Sequence, residues 1–353
     1  MPLQARTRET DMANAHGRFV WYELMTTDME AAKTFYADVV GWGTQDASMP
    51  GMAYTLFTAG GTSVSGLMDL PEDARKSGLR PSWLGYVGVS DVDAAADRIK
   101  ELGGAVHVPP KDIPNISRFS IAVDPQMATI ALFKWLEGGQ EQPPALDAPG
   151  RVGWHELLAA DWEKAWAFYR ELFGWQKAEA DMGPVGTYQL FSAGGETIGG
   201  MFTKPAMEPV PFWLYYFNVG DIDVAMKRVK AGRGQILSGP IEVLGNRWIL
   251  RCTDPQGAIF ALAGKRSHNG IGYFERVPPR HRASVNGKTG RRRPVHYAFC
   301  ASSVFSPLHS GMKLVLNPQK HRIGERCKSK QHDSNRNHLL GLHQLHGVDY
   351  QKA

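Results

Sequence analysis

Two glutamates, Glu23 and Glu156, are the residues whose type and spacing point most directly to chemistry. Each follows a tryptophan by two positions, Trp21 in one segment and Trp154 in the other, and the two segments are similar in sequence. Residues two apart on a strand lie on the same face, so each carboxylate should share a side with its indole. A carboxylate that faces a cavity can be a base with a raised pKa. The alternative role is a salt bridge or a hydrogen bond to a neighbouring loop.

Large aromatic side chains accompany these glutamates on the expected strands. They are predicted to form flat, apolar walls around a ligand, and the competing interpretation is core packing between sheet and helix. The candidate ligand-binding residues are Trp21, Trp154, Tyr54, Tyr188, Trp83 and Trp213. Trp42 and Trp175 stand at helix ends, where packing is the better interpretation.

His155 is the candidate metal ligand of the second segment. It directly follows Trp154, so on a strand it should face the opposite way. Its counterpart in the first segment is Tyr22, which argues against a required ligand. We therefore interpret His155 as a polar residue at a domain or sheet surface rather than as a metal ligand.

The similarity of the two segments extends over more than a hundred residues. WYELMTTDMEAAKTFYADVVGW (21–42) matches WHELLAADWEKAWAFYRELFGW (154–175), and YTLFTAGGTSVSGLM (54–68) matches YQLFSAGGETIGGM (188–201). PSWLGYVGVSDVDAA (81–95) matches PFWLYYFNVGDIDVA (211–225), and AVDPQMATIAL (122–132) matches CTDPQGAIFAL (252–262). Four blocks in the same order indicate a duplication.

Each repeat has the pattern of an α+β domain. A strand (19–25) leads to Asp28, a good helix N-cap, and the helix has Ala32, Phe35, Tyr36 and Val39 on one face before Gly41 ends it. A Gly-Gly turn then joins two strands into a hairpin. A second strand and helix, with Val92, Ala95, Ile99 and Leu102 on its apolar face, start the second half. The prediction is β-α-β-β(-β) twice in each repeat.

The charge distribution divides the chain into a folded body and a tail. Residues 266–353 contain 16 Lys and Arg against 4 Asp and Glu, which leaves 24 basic and 31 acidic residues in 1–265. A mildly acidic body argues against nucleic acid binding by the folded part. Three cysteines form no disulfide framework, no apolar run is long enough to span a membrane, and the first residues lack a signal peptide's apolar stretch. We expect a cytoplasmic protein.

These patterns predict five regions. They are an N-terminal extension (1–16), domain 1 (17–136), a Pro/Gly-rich extended linker (137–150), domain 2 (151–265) and a basic tail (266–353). The tail shows no sustained period of 2 or 3.6 residues and is either a disordered appendage or sequence from outside the natural frame. We favour the second, because the composition changes abruptly. His343 and His346 in it are assigned no function.

The repeated blocks resemble the vicinal oxygen chelate superfamily, which includes glyoxalase I, extradiol dioxygenases, fosfomycin-resistance transferases and bleomycin-binding proteins. The resemblance covers about 17–136 and 151–265, and it is carried by the Asp-capped helix with Phe-Tyr, the Gly-Trp stop, the hairpin and the late Asp-Pro turn. The tandem form is similar to bacterial glyoxalase-like proteins of ill-defined function. The resemblance implies paired βαβββ modules whose sheets curl around a cavity.

The same resemblance implies where metal ligands would stand, and none of those positions holds one. Metal-using members have His, Gln or Glu seven residues before the helix-capping Asp and Glu seven residues after the Asp of Asp-Pro. This sequence has Trp21 and Trp154 at the first position and Ala131 and Ala261 at the second. The second-module positions and the hairpin ends likewise supply no carboxylate, falling at Leu84 or Gly85, Leu214 or Tyr215, 66–68 and 200–202. We expect no metal and no other cofactor.

Three functions remain open at this point. The first is metal-independent binding of an apolar or aromatic small molecule in the domain cavities, as in bleomycin-binding relatives. The second is a metal-independent enzyme in which Glu23 and Glu156 or tyrosines transfer protons. The third is a metal-dependent lyase or dioxygenase of the glyoxalase type with displaced ligands. Binding leads, because the ligand positions are empty and no nucleophile–base pair accompanies the glutamates. The sequence names neither the ligand nor the oligomeric state.

Overall fold

The computed structural model describes residues 15–136, 146–178, 182–183, 186–243 and 245–267. Within these residues each repeat folds around its own eight-stranded mixed sheet, so the predicted α+β architecture of two tandem domains is confirmed. The predicted basic tail lies outside the described residues except for Arg266 and Ser267. Most of the N-terminal extension also lies outside them.

Domain 1 contains two βαβββ modules in succession. The first module consists of β1 (Phe19–Thr26), α1 (Met29–Val40), β2 (Gly43–Asp46), β3 (Tyr54–Ala59) and β4 (Thr62–Asp69). A short helix, α2 (Glu72–Lys76), connects it to the second. The second module consists of β5 (Ser82–Gly88), α3 (Val92–Glu101), β6 (Ala105–Ile113), β7 (Ser117–Val123) and β8 (Thr129–Trp135). The strand order is β2-β3-β4-β1-β5-β8-β7-β6.

Domain 2 repeats this topology. Its first module consists of β9 (Val152–Ala159), α4 (Trp162–Phe173), β10 (Gln176–Ala178), the small hairpin β11 (Met182–Gly183) and β12 (Gly186–Thr187), β13 (Gln189–Ala193) and β14 (Glu196–Thr203). Its second module consists of β15 (Phe212–Asp221), α5 (Ile222–Ala231), β16 (Gln235–Val243), β17 (Arg247–Thr253) and β18 (Ile259–Lys265). The strand order is β10-β13-β14-β9-β15-β18-β17-β16. The modules of each domain therefore meet at one antiparallel pair, β1 with β5 or β9 with β15.

The helix signals in the sequence act as expected in α1. The carboxylate of Asp28 accepts a hydrogen bond from the Ala31 backbone N–H at 2.9 Å, which satisfies a donor of the first turn. Gly41 ends the helix in the left-handed region, with φ of 87°, where glycine has no Cβ to clash. The buried side chains are the predicted ones. In α3 the buried set includes Ala96 in place of Ala95.

The two faces of each sheet bury different residues. The long helices cover one face, and one continuous apolar core, shared by both domains, lies between the two helix-covered faces. The opposite face of each sheet has its own apolar cluster, larger in domain 1 than in domain 2. We call this opposite face the cavity face, because the resemblance to the superfamily places a cavity there.

Matched hydrogen bonds cross between the domains. The indole N–H of Trp42 donates to the Gly150 carbonyl at 2.7 Å, and that of Trp175 donates to the Gly17 carbonyl at 2.6 Å. Both Trp42 and Trp175 are buried in the shared core, which confirms packing as their role. The similarity of the two repeats thus extends to the contacts that join the domains.

The chain segments that border the domains also make defined contacts. Residues 146–150 form turns rather than an extended linker, and the Asn218 amide donates to the Leu146 carbonyl at 2.6 Å. Residues 137–145 lie outside the described residues. Arg266 forms two hydrogen bonds to Asp223, so the packed part of domain 2 continues past residue 265. No helix in the described part of the chain is long and apolar enough to cross a membrane.

Candidate functional site on the cavity faces

Glu23 lies buried on the cavity face of domain 1 between two tyrosines. The hydroxyl of Tyr54 donates to one carboxylate oxygen at 3.0 Å and that of Tyr86 donates to the other at 2.8 Å. Burial raises the pKa of Glu23, and the two hydrogen bonds oppose that effect only in part. Its partners are therefore tyrosines of the same sheet, not the salt bridge or loop that the sequence left open.

Glu156 has the same arrangement in domain 2. Tyr188 and Tyr216 each donate a hydroxyl hydrogen bond to one of its oxygens, both at 2.9 Å. The indole N–H of Trp154 donates in turn to the Tyr188 hydroxyl at 2.8 Å. Burial raises the pKa of Glu156, while the tyrosine hydroxyls and the nearby Arg251 oppose this rise. Each cavity face thus carries one carboxyl group held by two phenols.

A glycine makes each of these arrangements possible. Gly66 on β4 is paired with Glu23 on β1, and the Tyr54 side chain passes over it to reach the carboxylate. A Cβ at residue 66 would lie 1.8 Å from the Tyr54 hydroxyl, and one at Gly200 would lie 2.2 Å from the Tyr188 ring. Since such contacts do not occur between real atoms, a Cβ at either position would displace the tyrosine from its place over the strand.

The structure separates the six candidate ligand-binding aromatics into two groups. Trp21 and Tyr54 belong to the apolar cluster on the cavity face of domain 1, and Trp154 packs on the corresponding cluster of domain 2. Tyr188 joins them through its bond to Glu156. Four of the six therefore lie on the same faces as the glutamates, and their role as ligand-binding residues stays a prediction.

The predicted placement of Trp83 and Trp213 is wrong. Both lie in the shared core on the helix-covered faces. Trp83 donates to the Tyr36 hydroxyl at 2.9 Å, and Trp213 donates to the Tyr169 hydroxyl at 3.1 Å. The reason is the two-residue period of the strand, since Leu84, not Trp83, stands opposite Glu23.

His155 faces the shared core, opposite to Trp154, as its position on the strand predicts. It is 1% exposed and stacks on Phe19 with 4.1 Å between ring centroids. Its Nδ1 is 2.6 Å from the Ile198 carbonyl oxygen and its Nε2 is 2.6 Å from the Tyr22 hydroxyl. Burial lowers its pKa to about 4, against the opposing effect of the Ile198 bond. Because both ring nitrogens are engaged, His155 has no atom left to bind a metal, and it lies between domains rather than at a surface.

The residues at the family's metal positions do not fit a divalent ion. On the cavity face of domain 1 these positions present the indole of Trp21, the methyl of Ala131 and the isobutyl group of Leu84, none of which is a metal ligand. The carboxylate of Glu23 on the same face already accepts hydrogen bonds from two hydroxyls. Domain 2 has Trp154, Ala261 and Leu214 at the same places.

Several residues of these sites were not predicted from the sequence. Tyr86 and Tyr216 are at the same place in matched sequence blocks, and that recurrence was the available signal. Arg251 on β17 pairs with Ala261 and so lies on the cavity face of domain 2. The sequence feature that could have identified Arg251 is a difference between the repeats, because the aligned residue of domain 1 is Ile121.

A separate surface cleft of about 570 Å³ lies at the start of α1. Its lining includes the carboxylates of Asp28, Glu30, Asp46 and Asp69, all on exposed residues. Asp28 serves there as the helix cap. The cleft lacks a carboxyl group held by two phenols, which each cavity face has, so we assign it no role.

Comparison with known proteins now places this fold in a family. The model of the glyoxalase/bleomycin resistance protein/dioxygenase superfamily matches residues 18–132 and again residues 151–262. The chain belongs to this superfamily. Among its relatives is "Putative glyoxylase CFP32" of Mycobacterium tuberculosis, 33% identical over 245 residues, which cover 69% of this chain and 92% of that protein. Another is "Anthracycline biosynthesis protein DauV" of a Streptomyces species, 30% identical over 271 residues, with 71% and 94% covered.

Solved structures show the same fold at low sequence identity. The Mn(II)-bound glyoxalase from Novosphingobium aromaticivorans is 17% identical, with a TM-score of 0.50 over 72% of this chain and 83% of that one. Homoprotocatechuate 2,3-dioxygenase from Arthrobacter globiformis is 16% identical, with a TM-score of 0.53 over 71% and 80%. These matches support the superfamily fold. The activity must be inferred from the residues of the site, because one fold hosts many activities.

Proposed function

We propose that this superfamily member binds an apolar or aromatic small molecule on its cavity faces without a metal ion. The observation that carries the proposal is the replacement of the metal-binding constellation by an indole and a tyrosine-bound carboxyl group. The half-buried Trp154 and the more deeply buried Trp21 contribute apolar surface, and Glu23 and Glu156 with their tyrosines contribute a polar centre beside them. Apolar walls with a few convergent polar groups are typical of small-molecule sites.

The relatives are consistent with an aromatic ligand. Two of them, from Streptomyces, are named for anthracycline biosynthesis and are 30% and 29% identical to this chain. Anthracyclines are fused aromatic compounds, and flat indoles and phenols are suited to stack on such rings. From these relatives we infer for this protein only the chemical class of the ligand, a planar apolar or aromatic molecule.

Binding by wild-type protein and by the variants Trp154→Phe and Trp21→Phe tests the proposal. A panel of aromatic antibiotics and quinones is screened by thermal shift, and hits are titrated by tryptophan fluorescence. Phenylalanine retains much of the apolar volume but removes the indole N–H and part of the stacking surface. We expect binding to weaken by roughly 1–2 kcal/mol where that indole contacts the ligand, with a smaller loss of stability. Early melting with unchanged affinity in both variants would assign the indoles to the core alone.

The second candidate is an enzyme of the glyoxalase, lyase or dioxygenase type. The pairing of a carboxyl of raised pKa with two phenols favours it, since a carboxylate of raised pKa is a stronger base than an ordinary one and can accept and return a proton. Glu23 and Glu156 would then be the catalytic residues. Turnover of an α-ketoaldehyde–thiol adduct or a catechol by wild-type protein, lost in both Glu23→Gln and Glu156→Gln, would favour the enzyme over the binding protein.

A further inference from the structure

The two cavity faces are built alike at their centres and differently around them. In domain 1 the centre is surrounded by Phe119, Phe133 and Trp135, and Phe119 and Phe133 are paired across β7 and β8. The paired positions in domain 2 are Ile249 and Ala263. Lys265 stands where domain 1 has Trp135, and it is exposed. Domain 2 therefore lacks three aromatic rings that fill the face of domain 1.

The segments that cover the two faces also differ, and the segment of domain 1 buries more apolar side chains than that of domain 2. In domain 1 the segment around α2 inserts Leu70, Ala74 and Leu79 into the cavity-face cluster, each no more than 8% exposed. In domain 2 the corresponding connection between β14 and β15 leaves Met207 64% exposed and Val210 42% exposed. Glu23 is accordingly buried and Glu156 only half-buried. The face of domain 1 is closed by its own side chains, whereas that of domain 2 is the more exposed of the two.

Arg251 adds to domain 2 a polar group that domain 1 does not have. It takes the place of Ile121, which is fully buried and apolar. One terminal nitrogen binds Glu208 at 2.7 Å, with both side chains 16% exposed, and the guanidinium lies 5.2 Å from the centre of the Phe212 ring. Its Nε is buried without a hydrogen-bond partner among the described residues. A buried N–H left unpaired is costly, so a ligand oxygen that reaches it through a small movement of the Arg251 side chain would be stabilised.

The charges around Arg251 decide what kind of acceptor fits. Glu208 already neutralises the guanidinium. Glu156 is close enough to interact with Arg251 as well, and it adds either no charge or a second negative one. The carboxylates of Glu208 and Glu156 beside the guanidinium disfavour a third negative group there, so the unpaired Nε–H is suited to a neutral oxygen.

We propose that domain 2 alone binds the ligand, and that the ligand is a neutral aromatic ketone or quinone whose carbonyl oxygen accepts a hydrogen bond from Arg251. This inference rests on the proposed binding function and adds to it one site per chain and one chemical class. The rings of Trp154 and Phe212 would provide the stacking surfaces, and Arg251 would select for the carbonyl.

Three matched compounds test the chemical class with the full-length protein. Fluorenone has the neutral carbonyl, fluorene lacks it, and fluorenone carboxylate adds a negative charge to it. We expect fluorenone to bind at one molecule per chain and more tightly than the other two, as measured by tryptophan fluorescence and calorimetry. Tightest binding of the carboxylate, two molecules per chain, or no binding of fluorenone would each overturn the proposal.

Variants at equivalent positions test the site. Arg251→Met should weaken fluorenone binding about tenfold and remove its advantage over fluorene, while Ile121→Met, the matched change in domain 1, should leave both affinities unchanged. Ala263→Phe, which restores the ring found in domain 1, should abolish binding; Ile249→Phe replaces it if that variant does not fold. Equal effects of Arg251→Met and Ile121→Met would overturn the assignment to domain 2. Equal binding of fluorene and fluorenone, unchanged in Arg251→Met, would overturn the role of Arg251 and leave the proposed binding function standing.

Discussion

The buried histidine between the domains predicts a specific acid sensitivity. His155 has a pKa of about 4 in the folded protein, against 6.5 for a free side chain, because burial penalises its charged form. Between these values the unfolded chain binds a proton that the folded chain does not. Its contribution to stability is therefore present above pH 6.5, falls as the pH drops toward 4, and is absent below that.

The size of the effect follows from the two pKa values. Between pH 7.5 and pH 4.5 the linkage removes about 2.5 kcal/mol from the free energy of unfolding. Glutamine at residue 155 cannot titrate, and its amide can still bond to both the Tyr22 hydroxyl and the Ile198 carbonyl. His155→Gln loses the stacking on Phe19, so we expect it to be less stable than wild type at pH 7.5 and to lose most of that disadvantage at pH 4.5.

Urea unfolding at a series of pH values, followed by tryptophan fluorescence, measures this difference. Other titrating groups, including the buried carboxyls, are the same in both proteins and cancel in the comparison. Tyr22→Phe is the matched control, since it removes the hydroxyl partner of His155 without removing the titrating ring, and its difference from wild type should stay constant over this range. A His155→Gln difference that does not change with pH would refute the assignment of His155 as a neutral, buried contact between domains.

Three further predictions concern the same framework. Glu23 has a raised pKa in the folded state, so its contribution to the free energy of unfolding falls as the pH rises through that pKa. Glu23→Gln has no such loss, and it should therefore gain stability relative to wild type between pH 4 and pH 8 in the same urea assay. Gly66→Ala would place a Cβ on the Tyr54 hydroxyl and should cost roughly 1–3 kcal/mol, whereas Gly60→Ala, with open space but strained φ, should leave the Tyr54–Glu23 contact intact by tyrosine fluorescence. Tyr36→Phe removes a buried bond to Asp254 and should lower the free energy of unfolding by about 1–2 kcal/mol, and an unchanged midpoint would contradict that contact.

Most of the fold could be predicted because the sequence repeats its own signals. Asp28 and Asp161 cap equivalent helices, and Gly41 and Gly174 end them. Between cap and end, apolar side chains recur every three or four residues, as one buried helix face requires. These are local effects of spacing and backbone conformation. The repeat then indicated two domains without any knowledge of how they meet.

The incorrect or missing predictions concern residues whose surroundings depend on tertiary contacts. Trp83 and Trp213 lie on strands beside the site, but a one-residue difference in register places them on the helix-covered face. The contact between the two helix-covered faces was not predictable from local pattern, and it is what buries His155. Tyr86 and Tyr216 were overlooked because a tyrosine in an apolar strand resembles ordinary core until its hydroxyl has a partner.

The difference between the domains is also a tertiary property. Ile121 and Arg251 are aligned in sequence, yet only the structure shows that both face the cavity side. The residues that the two repeats share define the fold, whereas the candidate ligand contacts of domain 2 are residues in which the repeats differ.

Metal analysis combined with mass spectrometry of the full-length protein, as purified under non-denaturing conditions, distinguishes metal-independent binding from a metal site. We expect a planar apolar or aromatic molecule bound to the chain, with zinc, nickel, manganese and iron below one per domain and no change in melting temperature on adding a chelator. A tightly held site would be visible in that last measurement, because a ligand at a thousand times its Kd stabilises by about 4 kcal/mol. One divalent ion per domain, whose removal lowers the melting temperature, would contradict metal-independent binding and favour the enzyme.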